Sequence, residues 1–448
     1  MEHEVEFFGV VTRLKGHRGR GECRLSDGKE EYSIQSGEYV PGQILYVKGS
    51  ITDIGRMTVV PKEIKEVEPQ EEKKIFEKIE QSAIEKVSLK DAAPICNDEV
   101  AQKLKGRIEE VARKLLAASK LGRFILLRFH HDADGIGGAI ALTEFLRCRT
   151  QQQNSAIYSA RDAVRDLGVL HNEARPIVIL LDFGSSKESG EGIQLLSAAG
   201  IEVIIIDHHP PDKEHLKAAD IVLSPWQVLE EERASRYVAG YLASEIANIC
   251  GVDAAKLAKS SCAGDKSEIL EISDEDKKRA LVLDYLAANA SYGNNLEFYK
   301  SALQKEDLFR SLYQQADDKI TSAANTLLGG AKPKEVNGIQ VYVFDLDRVV
   351  IPKEFPNRSK VATRLFETLS KEEGAVLVLG YGERTVIMRA GSGAIEKGAD
   401  LAKLCSRIRE DMKDFVPGGG GHSRAAALWV KEGYAKTAIE ALISMLGN

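Results

Sequence analysis

Three apolar runs in the middle of the chain each end abruptly in acidic residues, and that repetition narrows the folds available. Phe124–Phe129 runs into His130, His131, Asp132 and Asp134, Ile177–Leu181 into Asp182, and Val203–Ile206 into Asp207, His208 and His209. Short continuous apolar runs separated by helical stretches read as strands of a parallel sheet buried on both faces. In an open α/β sheet, ligands bind in the crevice beyond the carboxyl ends of the strands. The three ends would therefore bring four aspartates and several histidines into one crevice. Taken singly, an aspartate at a strand end is commonly a turn former or a helix N-cap, and a histidine pair is usually a surface or core feature. Three such ends in succession are poorly explained that way. Carboxylates at close range repel and raise one another's pKa, so the cluster needs compensating cations. Mixed carboxylate and imidazole donors suit Mn²⁺ or a similar borderline metal better than Ca²⁺, which takes oxygen only. Two such ions ~3.5–4 Å apart clamp the attacking and leaving oxygens of a phosphoryl displacement. Gly135, Gly137 and Gly138 open the helix after the first run, and we read them as letting a phosphate approach its amides.

A chain of 448 residues is too long for one ordinary core. Residues 1–67 show short strand-like runs (Val5–Val11, Glu31–Ile34, Ile44–Ile51, Met57–Val60) between glycine-rich turns, the pattern of a small OB-like β-barrel. Residues 68–92 read as a helical connector without a core of its own, and 93–330 as the α/β domain with a helical segment, including a helix over Ile136–Cys148. Residues 331–448 read as a smaller α/β domain with a glycine run between two helices. The fold class is thus α/β, a parallel-sheet domain plus a smaller α/β domain, preceded by a barrel. Net charge is −7, so a nucleic-acid site must be a local basic patch. One exists in the barrel, where Arg13, Lys15, His17, Arg18, Arg20 and Arg24 interleave with glycines. In an OB fold that stretch falls where single strands commonly bind, and Arg18 and Arg20 are expected contacts. Phe7, Phe8, Tyr32, Tyr39 and Tyr46 are candidate stacking faces. The alternative is a solvated basic hairpin over core aromatics. The six cysteines form no CxxC pair, which argues against a structural zinc site or disulfide framework and fits a reducing cytoplasm. No apolar run reaches membrane-spanning length, and the acidic N-terminus does not read as a signal peptide.

The stretches HHDADG, LLDFG and IIIDHH resemble motifs I, II and III of the DHH phosphoesterases, a superfamily that includes RecJ exonucleases, oligoribonucleases, cyclic-dinucleotide phosphodiesterases and family II pyrophosphatases. CAGDKSE, with Asp265, resembles a fourth motif that supplies one more aspartate. VPGGGGHSRAAAL, with Gly418, Gly419, Gly420, Gly421 and His422, resembles the substrate-binding motif of the DHH-associated C-terminal domain, whose upstream partner is an arginine at a strand end, here Arg389. The resemblance covers about residues 90–448 and implies roles. Asp182 bridges two metals, Asp132 with His130 completes the first site, and Asp134, His208 and Asp265 complete the second. Asp207 orients His208, and His209 contacts phosphate. Many family members place a histidine where this chain has Arg128, so His130 or Arg128 remains open for the first site. The implied cofactor is Mn²⁺, two per site, with Mg²⁺ or Co²⁺ as substitutes. Barrel, DHH core and associated domain together resemble archaeal-type RecJ-like nucleases. They imply a single-strand-specific exonuclease on DNA, RNA or both, releasing mononucleotides, with a repair helicase or replication factors as partners and no membrane. Two alternatives stay open: a phosphodiesterase or phosphatase for short oligonucleotides or for 3′-phosphoadenosine 5′-phosphate, and a non-catalytic replisome scaffold.

Overall fold

The computed structural model describes every residue except 1–2, 18–19, 36, 230, 290–295, 372–373 and 448. The chain divides into two compact units, Met1–Asp284 with Ala290–Gln304, and Tyr285–Asn289 with Lys305–Asn448.

The first unit begins with β1 (His3–His17), β2 (Arg20–Ser26), β3 (Glu31–Gln35), β4 (Ile44–Asp53) and β5 (Thr58–Glu66), which close into a barrel in the order β1-β2-β3-β5-β4. Alternation along the strands drives closure: Cys23, Leu25, Leu45 and Val47 point into a shared core, while the paired Phe8 and Tyr46 lie outside it. Next come helices α1 (Pro69–Lys86) and α2 (Glu99–Lys120). The sequence suggests a helical connector over the first of these, without a core of its own. Helix α1 buries Phe76, Ile79 and Ala83 against Val10 and Ile44 of the barrel and Ala117 of α2. Lys114 and Arg123 each pair with both Glu80 and Glu202, tying α1 and α2 to the following sheet.

That sheet alternates strictly with helices: β6 (Ile125–His130), α3 (Ala133–Thr143), β7 (Arg149–Gln153), α4 (Ala160–Leu170), β8 (Ile177–Leu181), α5 (Gly190–Ala198), β9 (Glu202–Ile206) and β10 (Ile221–Leu223). All pairings are parallel, in the order β10-β9-β8-β6-β7. β8 is buried along its whole length, which explains its uninterrupted apolar run. The chain steps outward from β6 to β7 and then returns to β8 on β6's other side, so the strand order reverses between β6 and β8. Such a switch point opens a crevice at the carboxyl ends. Helices α6 (Ala239–Ile249), α7 (Ala255–Gly264), α8 (Asp274–Asn289) and α9 (Leu296–Gln304) follow. The helix expected over Ile136–Cys148 starts earlier, at the Asp132 cap, and stops at Thr143, because the chain must turn before entering β7.

The second unit contains α10 (Glu306–Leu328), β11 (Lys334–Val336), β12 (Ile339–Asp345), α11 (Arg358–Leu369), β13 (Val376–Gly382), β14 (Thr385–Ala390), α12 (Ser392–Glu396), α13 (Leu401–Asp411), β15 (Gly418–His422), β16 (Ala425–Trp429) and α14 (Ala435–Leu446). Its sheet runs β11-β12-β13-β14-β16-β15, with β12 and β13 parallel and the other pairs antiparallel. One face packs on α13 and α14, the other on α10 and α11. The glycine run forms the edge strand β15.

Candidate metal centre

Strand ends and helix starts place the acidic side chains. Asp132 caps α3, its Oδ1 accepting from the Gly135 amide at 3.0 Å. Asp134, two residues further and fully buried, accepts from the amides of Ala239 (2.9 Å) and Gly240 (2.8 Å) at the start of α6. It therefore pins two helix N-termini together. The glycines around it serve the same contact. A Cβ on Gly135 would stand 2.4 Å from the His130 carbonyl, one on Gly137 2.4 Å from Ser261 Oγ, and one on Gly138 2.9 Å from Gly240. This corrects the expectation that these glycines admit a phosphate. Their missing side chains let α3 close on β6, α6 and α7.

Asp182 ends β8 with φ +67°, a left-handed conformation that aspartate tolerates better than most residues. Its amide donates to Ile206 of β9 at 2.9 Å, which fixes the turn while the carboxylate enters the crevice. Around it, His130 Nδ1 lies 2.7 Å from Asp132 Oδ2 and 3.4 Å from Asp182 Oδ2. His208 Nε2 lies 3.4 Å from Asp182 Oδ1, 3.3 Å from Asp265 Oδ2 and 3.9 Å from Asp134 Oδ2. Asp132, Asp134, Asp182, His130, His208 and Asp265 thus converge, as the sequence suggests, with Asp265 arriving from the end of α7.

Two details differ from the reading of the sequence. Asp207 does not hold His208. Its Oδ1 accepts from the His209 ring at 2.8 Å and from the His209 amide, and its Oδ2 from the Ser185 amide. His208 is oriented instead by the Ser235 carbonyl, which accepts from Nδ1 at 2.6 Å. That bond fixes a ring hydrogen on Nδ1 and turns Nε2 toward the carboxylates. Second, Arg128 is not available to the cluster. It is buried, donates to both oxygens of Asp166 at 2.6 Å and to Gln153, and sits over the Tyr158 ring. His130 is left as the basic group beside Asp132.

The electrostatics are those of an overcrowded site. Burial, reinforced by the charges of Asp182 and Asp265, pushes the Asp134 carboxyl well above the usual range. Burial disfavours the charged form of His130, but Asp132 and Asp182 overcome it and raise the ring to about 11. His208 is raised for the same balance of reasons, with Asp182, Asp265 and Asp134 beside it. Despite this, Asp182 Oδ1, Asp182 Oδ2 and His208 Nε2 are shut off from water and make no hydrogen bond. Buried charged groups that lack hydrogen bonds are retained where they coordinate a metal. The residues fit such a group. Three sets, His130/Asp132/Asp182, Asp134/His208/Asp265 and Asp182/His208/His209, each offer ligand atoms within 4.8 Å of one another. Asp182 belongs to two of these sets, one carboxylate oxygen toward His130 and the other toward His208.

The expected substrate-side residues lie in other surroundings. Arg389 is buried in β14, its nitrogens donating to Thr363 Oγ1, Ser359 Oγ and the Met388 carbonyl, and burial lowers its guanidinium to about 10. Gly418–His422 pairs residue by residue with β16, and His422 is exposed at the turn. Arg18 lies outside the described residues, as does the side chain of Arg20. Arg24 is engaged by Glu22 and Glu31. No helix among the described residues is long and apolar enough to cross a membrane.

Residues 124–264 match the DHH family, N-terminal domain. An uncharacterized protein of Methanocaldococcus jannaschii is 24% identical over 482 aligned positions covering 91% of this chain, and the chain spans 62% of that relative's length. A solved DHH domain, described as that of a member of a family of ribosomal proteins, is similar with a TM-score of 0.72 at 22% identity, over 85% of this chain and 99% of that one. RecJ from Thermus thermophilus in complex with Mn²⁺ is matched at 16% identity with a TM-score of 0.46, over 80% of this chain and 55% of that one.

Proposed function

With a DHH-family domain at residues 124–264 as the premise, we propose that this chain is a divalent-metal-dependent phosphoesterase, and specifically a Mn²⁺-dependent exonuclease that removes mononucleotides from single-stranded DNA or RNA. The observation that carries the reading lies at its centre: both carboxylate oxygens of Asp182 and the Nε2 of His208 are buried and make no hydrogen bond, and Asp182 belongs to two of the ligand sets. The mixed oxygen and nitrogen donors favour Mn²⁺ among hard and borderline cations.

His130, Asp132 and Asp182 would hold one cation, and Asp134, His208, Asp265 and the shared Asp182 the other. Bound there, the pair supplies Lewis acidity and charge neutralisation for an in-line phosphoryl displacement. The chain's own residues do the positioning. Ser235 and Asp207 set the ring orientations of His208 and His209, and the half-exposed His209 would donate to a phosphate oxygen. The amides of Ala239 and Gly240 hold Asp134 against rotation. No side-chain nucleophile is needed. The closed five-stranded barrel supports a nucleic-acid substrate over a small phosphate ester, since OB-type barrels track single strands.

The test uses single strands labelled at one terminus and then the other, with purified protein and Mn²⁺. Mononucleotide release by the wild type, lost in Asp182→Asn, is expected, and the label released first gives the polarity. Intact strands with both proteins would overturn the reading. Faster cleavage of dinucleotides than of long strands would favour the short-oligonucleotide alternative.

A further inference from the structure

At the opposite end of the parallel sheet from the metal centre, the first unit carries an open-sided cavity of about 1210 Å³. Its walls are the barrel (Thr12, Arg13 and the loop Val40–Gln43), the end of α2, the starts of β6 and β7, and the segment His171–Arg175. It is built by close backbone approach. A Cβ on Gly42 would stand 2.3 Å from Ala174 Cβ, and one on Gly122 2.7 Å from the Thr12 carbonyl, so barrel and sheet touch on either side of the opening. Residues of β6 link the two sites: Ile125 lines the cavity and His130 the metal cluster. Five strand steps put them roughly 17 Å apart.

The lining is unusually basic for a chain of net charge −7. Five arginines face the cavity, and they divide into two kinds. Arg123 and Arg175 are committed, the first to Glu80 and Glu202, the second to Glu72 and the Phe76 ring. Arg13, Arg147 and Arg149 are exposed and, among the described residues, pair with no carboxylate. Arg175 Nε adds a buried donor without an acceptor. Against these stand Glu72, which Arg175 engages, and Glu173, an exposed carboxylate on the rim. Three unpaired guanidinium groups around one concavity repel one another unless an anion with several charges lies between them. Arginine forks match phosphate oxygens in pairs. The volume exceeds the roughly 300–1,000 Å³ of ordinary small-molecule pockets, which favours a stretch of polymer over one nucleotide.

We propose that this cavity is a second phosphate-binding site, which grips the sugar–phosphate backbone of a single strand at the end of the sheet away from the metal centre. The proposal rests on the nucleic-acid reading of the substrate, and its test separates the two. Binding is measured by fluorescence anisotropy with a labelled single strand, in chelator and over a salt series, so that hydrolysis plays no part. Arg147→Ser/Arg149→Ser removes two exposed side chains and should leave the melting temperature unchanged. Losing two phosphate contacts should weaken binding on the order of tenfold at low salt and flatten the slope of log K against log salt by about 1.4. Arg147→Lys/Arg149→Lys should restore most of both. Hydrolysis of a small chromogenic phosphodiester with Mn²⁺, which reports the metal centre alone, should be unchanged in all variants. An unaltered salt slope in the Ser variant overturns the proposal. A labelled mononucleotide that binds in an arginine-dependent way while the strand's slope stays constant overturns the strand in favour of a free nucleotide. If the wild type binds no strand at all, the nucleic-acid reading itself fails.

Discussion

The two sheets of this protein carry their candidate chemistry in different places. In the five-stranded parallel sheet the polar residues stand where strands stop: His130 at the end of β6, Asp182 after β8, and Asp207 to His209 after β9. In the six-stranded sheet they lie within strands, Arg389 in β14 and the glycines along β15. A residue beyond the last ladder bond is free to turn into a crevice, and Asp182 does so with atoms that no protein group satisfies. A residue inside a strand is held by its neighbours, and Arg389 is already saturated by Ser359, Thr363 and Met388. The first sheet therefore exposes its need for a ligand, and the second presents a finished surface.

The largest effect should come from the hub of the first sheet. Asp182→Asn keeps a side chain that accepts the left-handed backbone but removes the charge. Loss of several kcal/mol of charge stabilisation predicts about 10³-fold slower hydrolysis with an unchanged circular dichroism spectrum. A variant that retained wild-type rate would erase the distinction between the sheets. Next in size is ligand linkage. Mn²⁺ at a hundredfold excess over its Kd should stabilise the wild type by about 2.7 kcal/mol, read as a rise in Tm of several degrees, and should not stabilise Asp182→Asn. Asp207→Asn acts at one remove, through His209, and should lower cation affinity or kcat about 10–100-fold. Equal loss in metal binding for Asp207→Asn and Asp182→Asn would show that His209 is itself a ligand. The smallest effects test the second sheet. Gly421 has φ +143°, and a Cβ there would meet the Ala425 carbonyl at 2.3 Å, so Gly421→Ala should cost more than about 1 kcal/mol by urea denaturation. Gly420 has open space around it, and Gly420→Ala should change stability by less than about 0.5 kcal/mol. Similar costs at both positions would mean that the glycines are not selected by strand geometry.

This difference also decides what is legible in one dimension. An apolar run broken by Asp or His is visible in the sequence, so Asp132, Asp134, Asp182 and His208 stand out without any knowledge of their meeting, and Asp265 joins them through the fourth motif. The groups that orient them do not. Arg128 finds Asp166 from 38 positions away, Asp134 finds the α6 amides from 105 and 106 away, and the Ser235 carbonyl carries no side-chain signal at all. Adjacency suggests Asp207 as the partner of His208, whereas its carboxylate reaches the ring of His209. Glycine has low strand propensity, so the run at 418–421 reads as a break until its register with β16 makes it an edge strand. The arginines of the rear cavity come from separate segments of the chain, and nothing local marks Arg13 as a neighbour of Arg147 and Arg149.

The docking of α1 bears on how the molecule can be cut. Phe76, Ile79 and Leu121 are covered by Val10 and Ile44, so removing residues 1–67 would lay that apolar seam open to water and invite self-association. The barrel and the parallel sheet are then expected to melt in a single transition, and a shortened polypeptide that began at the first helix would be a poor surrogate for the unit that carries the metal cluster.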